Sequence, residues 1–169
     1  AMAFGTLPNP NVAYVCTSDG YISVTQDISA TNGGFANHVL LPNGEVGLDV
    51  VIDENDPMTA YVVTPANVFM TNSGGSTWTS IKDNLGRLLK PFVLEPSLYN
   101  EPFPVGRSVA LFNNGTVTKA DDFVLVGEPG GVFRRMVEPP ASLCANTWQA
   151  FGAGRTLPNT LVTSLVYDS

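Results

Sequence analysis

Charge is scarce in this chain, and positive charge most of all. Of 169 residues only 14% are charged, eight of them Lys or Arg against fifteen Asp or Glu, for a formal net charge of −7. Eight cations, with Arg134-Arg135 as the one adjacent pair, argue against a nucleic-acid-binding surface. Holding a polyanion requires clustered Lys and Arg that release its counterions. One histidine, His38, and two cysteines, Cys16 and Cys144, provide no set of residues at zinc-ligand spacing, so no metal is expected. No cofactor is expected either. There is no apolar run of the roughly 18–20 residues that a membrane-spanning helix needs. Ala1-Met2-Ala3 lacks the charged and apolar regions of a secretory leader.

What is abundant is the vocabulary of short strands and turns. Hydrophobic residues make up 44% of the chain, with 16 Gly and 13 Pro. That content is too apolar for disorder, and Val, Thr, Phe and Tyr recur in runs of four to six, as strands demand. The runs repeat. Ala13-Tyr14-Val15-Cys16-Thr17 returns 47 residues later as Ala60-Tyr61-Val62-Val63-Thr64, each followed by a turn and a second strand (Tyr21–Thr25, Asn67–Thr71). A third hairpin is aligned as Phe123–Gly127 with Gly131–Arg135. Strands at 46–53 and 108–113 precede the second and third hairpins, and Thr79–Ile81 and Gln149–Phe151 follow them. The unit is thus four strands recurring every 40–50 residues, the signature of propeller blades. Since Cys16 aligns with Val63, a buried free thiol is expected; a bond to Cys144 would need the fold to bring the two close.

Thr71-Asn72-Ser73-Gly74-Gly75-Ser76-Thr77-Trp78 resembles the Asp-box, or BNR, repeat, S-x-D-x-G-x-T-W, with Thr71 and Ser73 in place of its Ser and Asp. Thr31–Phe35 and Thr147-Trp148 are weaker echoes. The repeat occurs in sialidases, xyloglucanase-like hydrolases, sortilin-type receptors and photosystem assembly factors. The resemblance implies an all-β fold: an incomplete β-propeller of about three four-stranded blades, with an extracellular, cell-surface or periplasmic setting. On this reading residues 1–169 are one domain with blade-like repeats at 9–45, 46–88 and 105–155, and 156–169 supply the first strand of a further blade. The first repeat enters at its second strand, so the chain is cut out of phase with its blades. One consequence is an expected pairing of open edges, with the rest of a longer propeller or with a second copy whose C-terminal strand completes the first blade.

Catalytic chemistry finds few candidates. No G-x-S-x-G elbow accompanies His38, which reads as a solvated loop residue. The arginine triad and Arg-Ile-Pro stretch of sialidases are missing, as is an early Asp-Gly-Gly of the xyloglucanase-like pattern. Trp78 and Trp148 read as packing residues of the repeat rather than sugar platforms. Glycoside hydrolysis needs two carboxylates, and Asp49, on an expected innermost strand with Val109 and Ser164 as its aligned counterparts, is the weak catalytic candidate. Asp53, Asn113 and Asp168 share one repeat position and read as structural. Asp121-Asp122 reads as solvated loop, and Asn114-Gly115-Thr116 fits a glycosylation sequon. The apolar, proline-rich insertion 88–104 is the expected binding surface, through Leu88, Phe92, Leu98, Tyr99 and Phe103. The function expected is therefore non-catalytic recognition of protein or glycan through blade-connecting loops. The alternative is a hydrolase fragment whose catalytic carboxylates lie mostly elsewhere.

Overall fold

A computed structural model of the chain describes residues 1–6, 10–29, 34–89, 106–113, 119–128, 130–138, 147–152 and 162–166. The apolar runs form three four-stranded antiparallel meanders. The first is β1 (Met2–Phe4), β2 (Ala13–Cys16), β3 (Tyr21–Thr25) and β4 (Asn37–Leu40). The second is β5 (Asp49–Asp53), β6 (Asp56–Val63), β7 (Val68–Thr71) and β8 (Thr79–Ser80). The third is β9 (Ser108–Phe112), β10 (Phe123–Glu128), β11 (Gly131–Met136) and β12 (Gln149–Ala150). Their first strands lie side by side, β1 against β5 and β5 against β9, so each sheet is a blade with its opening strand innermost. A short helix, α1 (Leu85–Leu89), follows the second blade and buries Leu85 completely.

Strand alternation explains the packing. In β6, Ala60 and Val62 face the first blade while Tyr61 and Val63 face the third, which is why this strand reads as an unbroken apolar run. Between the first two blades the core is built from Tyr14, Cys16, Ile22 and Val24 against Val50, Ile52, Phe69 and Trp78. Between the second and third it is built from Tyr61, Val63, Val68 and Ile81 against Leu111, Val126, Phe133 and Trp148. Both Trp residues are therefore buried, as the sequence implies, but they pack across to the preceding blade. Trp78 meets Tyr14 edge-on at 6.3 Å, and Trp148 donates its indole N–H to the Ile81 carbonyl at 2.7 Å.

The segment resembling the Asp-box makes the turn between β7 and Trp78. Thr71 Oγ1 accepts the Ser73 and Gly75 N–H groups, Ser73 Oγ accepts that of Thr77, and Gly74 and Gly75 take φ of 63° and 81°. At Gly75 a Cβ would sit 2.4 Å from Val24 Cγ2, so the turn can lie on the first blade only with glycine there.

Three expectations are corrected by the register. First, the first two strands of the third repeat are offset by one residue from their sequence alignment, whereas its last two match it. Val126 opposes Phe133 as Val62 opposes Phe69, and both pairs face the preceding blade. Val124 thus matches Ala60, Gly127 matches Val63, and Glu128 matches Thr64. On the innermost strands Asp49 pairs with Val63 and Ser108 with Gly127, so Ser108, not Val109, is the counterpart of Asp49. The match stops at Ile52, where β5 bulges and Asp53 pairs with Asp56, so Asp53 has no counterpart by register in β9. Alternating runs of large apolar residues fit equally well at either offset, and only the face each side chain covers decides between them.

Second, the first blade is complete. Met2, Ala3 and Phe4 pair with Val15, Tyr14 and Ala13, so its innermost place is filled in cis and the repeat begins before residue 9. A partner's C-terminal strand would have to displace β1 to enter there. Three residues are too few to register as a strand in the sequence; backbone pairing to β2 makes them one. Third, Asp122 is 1% exposed rather than solvated, since Asp122, Val124, Val126 and Glu128 share the face turned to the second blade.

Candidate functional site

The candidate site lies along the innermost strands. A cleft of about 260 Å³ runs between β5, β9 and residues 165–166, with Asp49 at one end and Glu54 and Asn113 at the other. The two strands run in the same direction, because bonds join their starts (Asp49 to Ser108) and their ends (Asp53 to Asn113). No ligand set for a metal forms, in that no group of three or more His, Cys, Asp or Glu converges among the described residues.

Asp49 is half-buried and fully engaged. Its Oδ1 accepts the Val50 N–H at 3.0 Å, and its Oδ2 accepts Ser108 Oγ–H at 2.8 Å and the Val109 N–H at 3.0 Å. Ser108 Oγ in turn accepts the Leu165 N–H at 3.0 Å. The side-chain oxygens of Asp49 and Ser108, each opening an innermost strand, thus take one N–H each from the next segment, Val109 in β9 and Leu165 in 162–166. A carboxylate tied to two amides and a hydroxyl is a strut between blades. The other carboxylate of the cleft, Glu54, lies just beyond the far end of β5, a strand that by itself spans about 13 Å from Asp49 to Asp53. Paired hydrolytic carboxylates stand about 5–10 Å apart.

At the far end, Asp53 is an ion-pair anchor. Lys119 Nζ lies 2.9 Å from Asp53 Oδ2 and 3.4 Å from Asp56 Oδ2, and Asn113 Nδ2 donates to Asp53 Oδ1 at 3.4 Å. Burial works to raise the Asp56 pKa, but the Thr59 hydroxyl and the Lys119 charge outweigh it and hold the carboxyl below its usual range. Burial lowers and the two aspartates raise the Lys119 pKa, with a net rise. Tyr61 lies near this group with its buried hydroxyl unpartnered, and burial pushes its pKa up, with Asp53 adding to the rise.

Of the expected binding residues, Leu88 packs against the core between the second and third blades, whereas Phe92, Leu98, Tyr99 and Phe103 lie outside the described residues, as do Cys144, the 114–116 sequon and Asp168. Cys16 is free, buried beside Gly47, and burial pushes its thiol up to about 11. His38 is a strand residue rather than a loop one. Its ring is stacked on Tyr21 at 4.3 Å, and Nδ1 lies 2.7 Å from Ser23 Oγ.

Sequence reasoning passed over Glu128. This residue is 0% exposed with neither carboxylate oxygen partnered, and burial pushes its pKa up to about 9 against the weaker opposing pull of Lys82. Beside Pro129-Gly130 it reads as a turn residue. The signal that reveals it is its alternation with Val124 and Val126, which puts it on the buried face.

Three stacked meanders with their first strands innermost find a counterpart among solved structures. An ancestral GH74 enzyme matches with a TM-score of 0.51 at 14% sequence identity, over 89% of this chain and 18% of that one. The fold is that of a partial β-propeller. The chain spans under a fifth of the length of that enzyme. No family model and no curated protein matches the sequence.

Proposed function

We propose that this chain is a non-catalytic recognition module that binds protein or glycan through the loops between its blades, in an extracellular, cell-surface or periplasmic setting. The observation that carries this reading is the engagement of Asp49, whose two oxygens are spent on Val50, Ser108 and Val109. Asp53 is similarly spent on Lys119. An anion used as a strut is a poor nucleophile and a poor general acid. The contacts proposed for recognition are Phe92, Leu98, Tyr99 and Phe103, with Leu88 of α1 packed on the core at the base of the same insertion.

The second reading is a fragment of a glycoside hydrolase, favoured by the fold shared with a GH74 enzyme. Soluble β-glucans and a glycan array, each scored for binding and for released reducing ends, separate the two. Binding without release, weakened tenfold or more by Phe92→Ala or Tyr99→Ala and untouched by Asp49→Asn, is the expected outcome. Release of reducing ends that Asp49→Asn abolishes would transfer the chain to the hydrolases.

A further inference from the structure

We infer that the outward face of the third blade, together with residues 162–166, accepts an extended peptide strand that carries alternate apolar residues and one acidic side chain. This docking surface is independent of the loop-borne site proposed above.

Residues 162–166 occupy the innermost place of a further blade. Leu165 bonds to Ser108 as Val109 bonds to Asp49. Val162 packs on Gly127 as Gly106 packs on Val63 and Gly47 on Cys16. In the three blades the innermost strand is paired along its outer edge by the second strand of its sheet. Residues 162–166 have no such partner among the described residues and form no strand, and Val166 is 88% exposed. An unpaired edge of this kind is a template for an added strand.

The face beside it is a blade interface by descent of pattern. Leu125, Val132, Arg134 and Phe151 stand where Tyr61, Val68, Met70 and Ile81 stand in the second blade. There those residues are covered by Val126, Phe133 and Trp148 of the next sheet. Here Phe112, Phe123, Leu125, Arg134 and Phe151 surround a hollow of about 170 Å³, room for a large aliphatic or aromatic side chain. Strand periodicity requires that apolar residues of the occupant alternate to fill it.

The charge of the occupant follows from Arg134, which replaces Met70. Its guanidinium lies 5.1 Å from the Phe123 ring centre and 5.8 Å from that of Phe151, with no carboxylate partner among the described residues. Covering that cation with apolar atoms alone would leave it desolvated and unpaired. An acidic side chain on the incoming strand supplies the charge-assisted bonds instead.

The test uses a fluorescein-labelled peptide alternating Val and Thr with one central Asp, and the same peptide with Lys in its place, titrated against the 169-residue chain by anisotropy. The Asp peptide is expected to bind saturably, at least tenfold tighter than the Lys peptide, and to slow amide exchange at Val166. Arg134→Glu is expected to reverse the preference. Arg134→Met, which restores the residue of the second blade, is expected to abolish it without loss of fold. Equal binding of the two peptides, or none at millimolar concentration, would overturn the inference. So would light scattering that showed a dimer broken by Arg134→Glu, because the face would then belong to a second copy.

Discussion

A single carboxyl, that of Glu128, makes the sharpest statement about pH. Its counterpart in the second blade is Thr64, whose hydroxyl bonds to Glu45 and receives the Asn67 N–H at 2.8 Å. Glu128 has the buried position without the partners, and burial lifts its pKa to about 9. An acid whose pKa is higher folded than unfolded holds its proton only in the folded state between the two values. Stability therefore falls as pH rises from about 4.5 to about 9 and levels off beyond. Glu128→Gln keeps the shape and cannot ionise. It is expected to stabilise the chain by on the order of 2–3 kcal/mol at pH 7, with little effect at pH 4, read from urea unfolding at each pH. A variant less stable than the parent at pH 7 would mean that the carboxylate is charged and paired in solution.

Elements in this fold are joined by matched sizes at the start of each innermost strand. A Cβ at Gly47 would lie 2.7 Å from Cys16 Sγ, and one at Gly106 would lie 1.8 Å from Val63 Cγ2. At the third place the sizes are reversed, since a Cβ on Gly127 would lie 2.7 Å from Val162 Cγ1. Small on one side and large on the other is the requirement; which side is large is free. Gly127→Val is expected to cost about 1–3 kcal/mol by overpacking and Val162→Gly a similar amount. The double variant should recover most of the loss by recreating the Gly106–Val63 arrangement. A double-mutant cycle on thermal unfolding reads the coupling, and additive losses would show that 162–166 does not pack there. The sequence matches these segments by their apolar residues and so misses the rule, which appears only when the two partners are seen in contact.

At the scale of the molecule, the second blade belongs to both cores, lending Val62 and Phe69 to one and Tyr61 and Val63 to the other. Neither neighbour can separate without exposing part of it, so a single cooperative transition is expected. Trp78 reports on the first core and Trp148 on the second. Melting curves of Trp78→Phe and Trp148→Phe, each followed by the remaining indole, should therefore each coincide with the loss of far-ultraviolet dichroism. Two separated transitions in either variant would mean that the blades unfold singly. Trp148→Phe should also be the costlier change by about 1 kcal/mol, because it removes the bond to Ile81 while the buried Trp78 N–H has no acceptor to lose.

The hairpins were legible from AYVCT and AYVVT, and the grouping in fours from the apolar runs that flank the second and third hairpins, since an apolar run between turn residues has few other uses. The alternation of side chains along a strand is a local property, written in the order of residues. Which neighbour each face meets is not local. The offset in the third repeat, the completion of the first blade by Met2–Phe4, and the bonding of Asp49 to Ser108 and Val109 all depend on residues about 10 to 60 positions apart. Contacts at that separation come from closing the sheets upon one another, and only the tertiary structure could decide them.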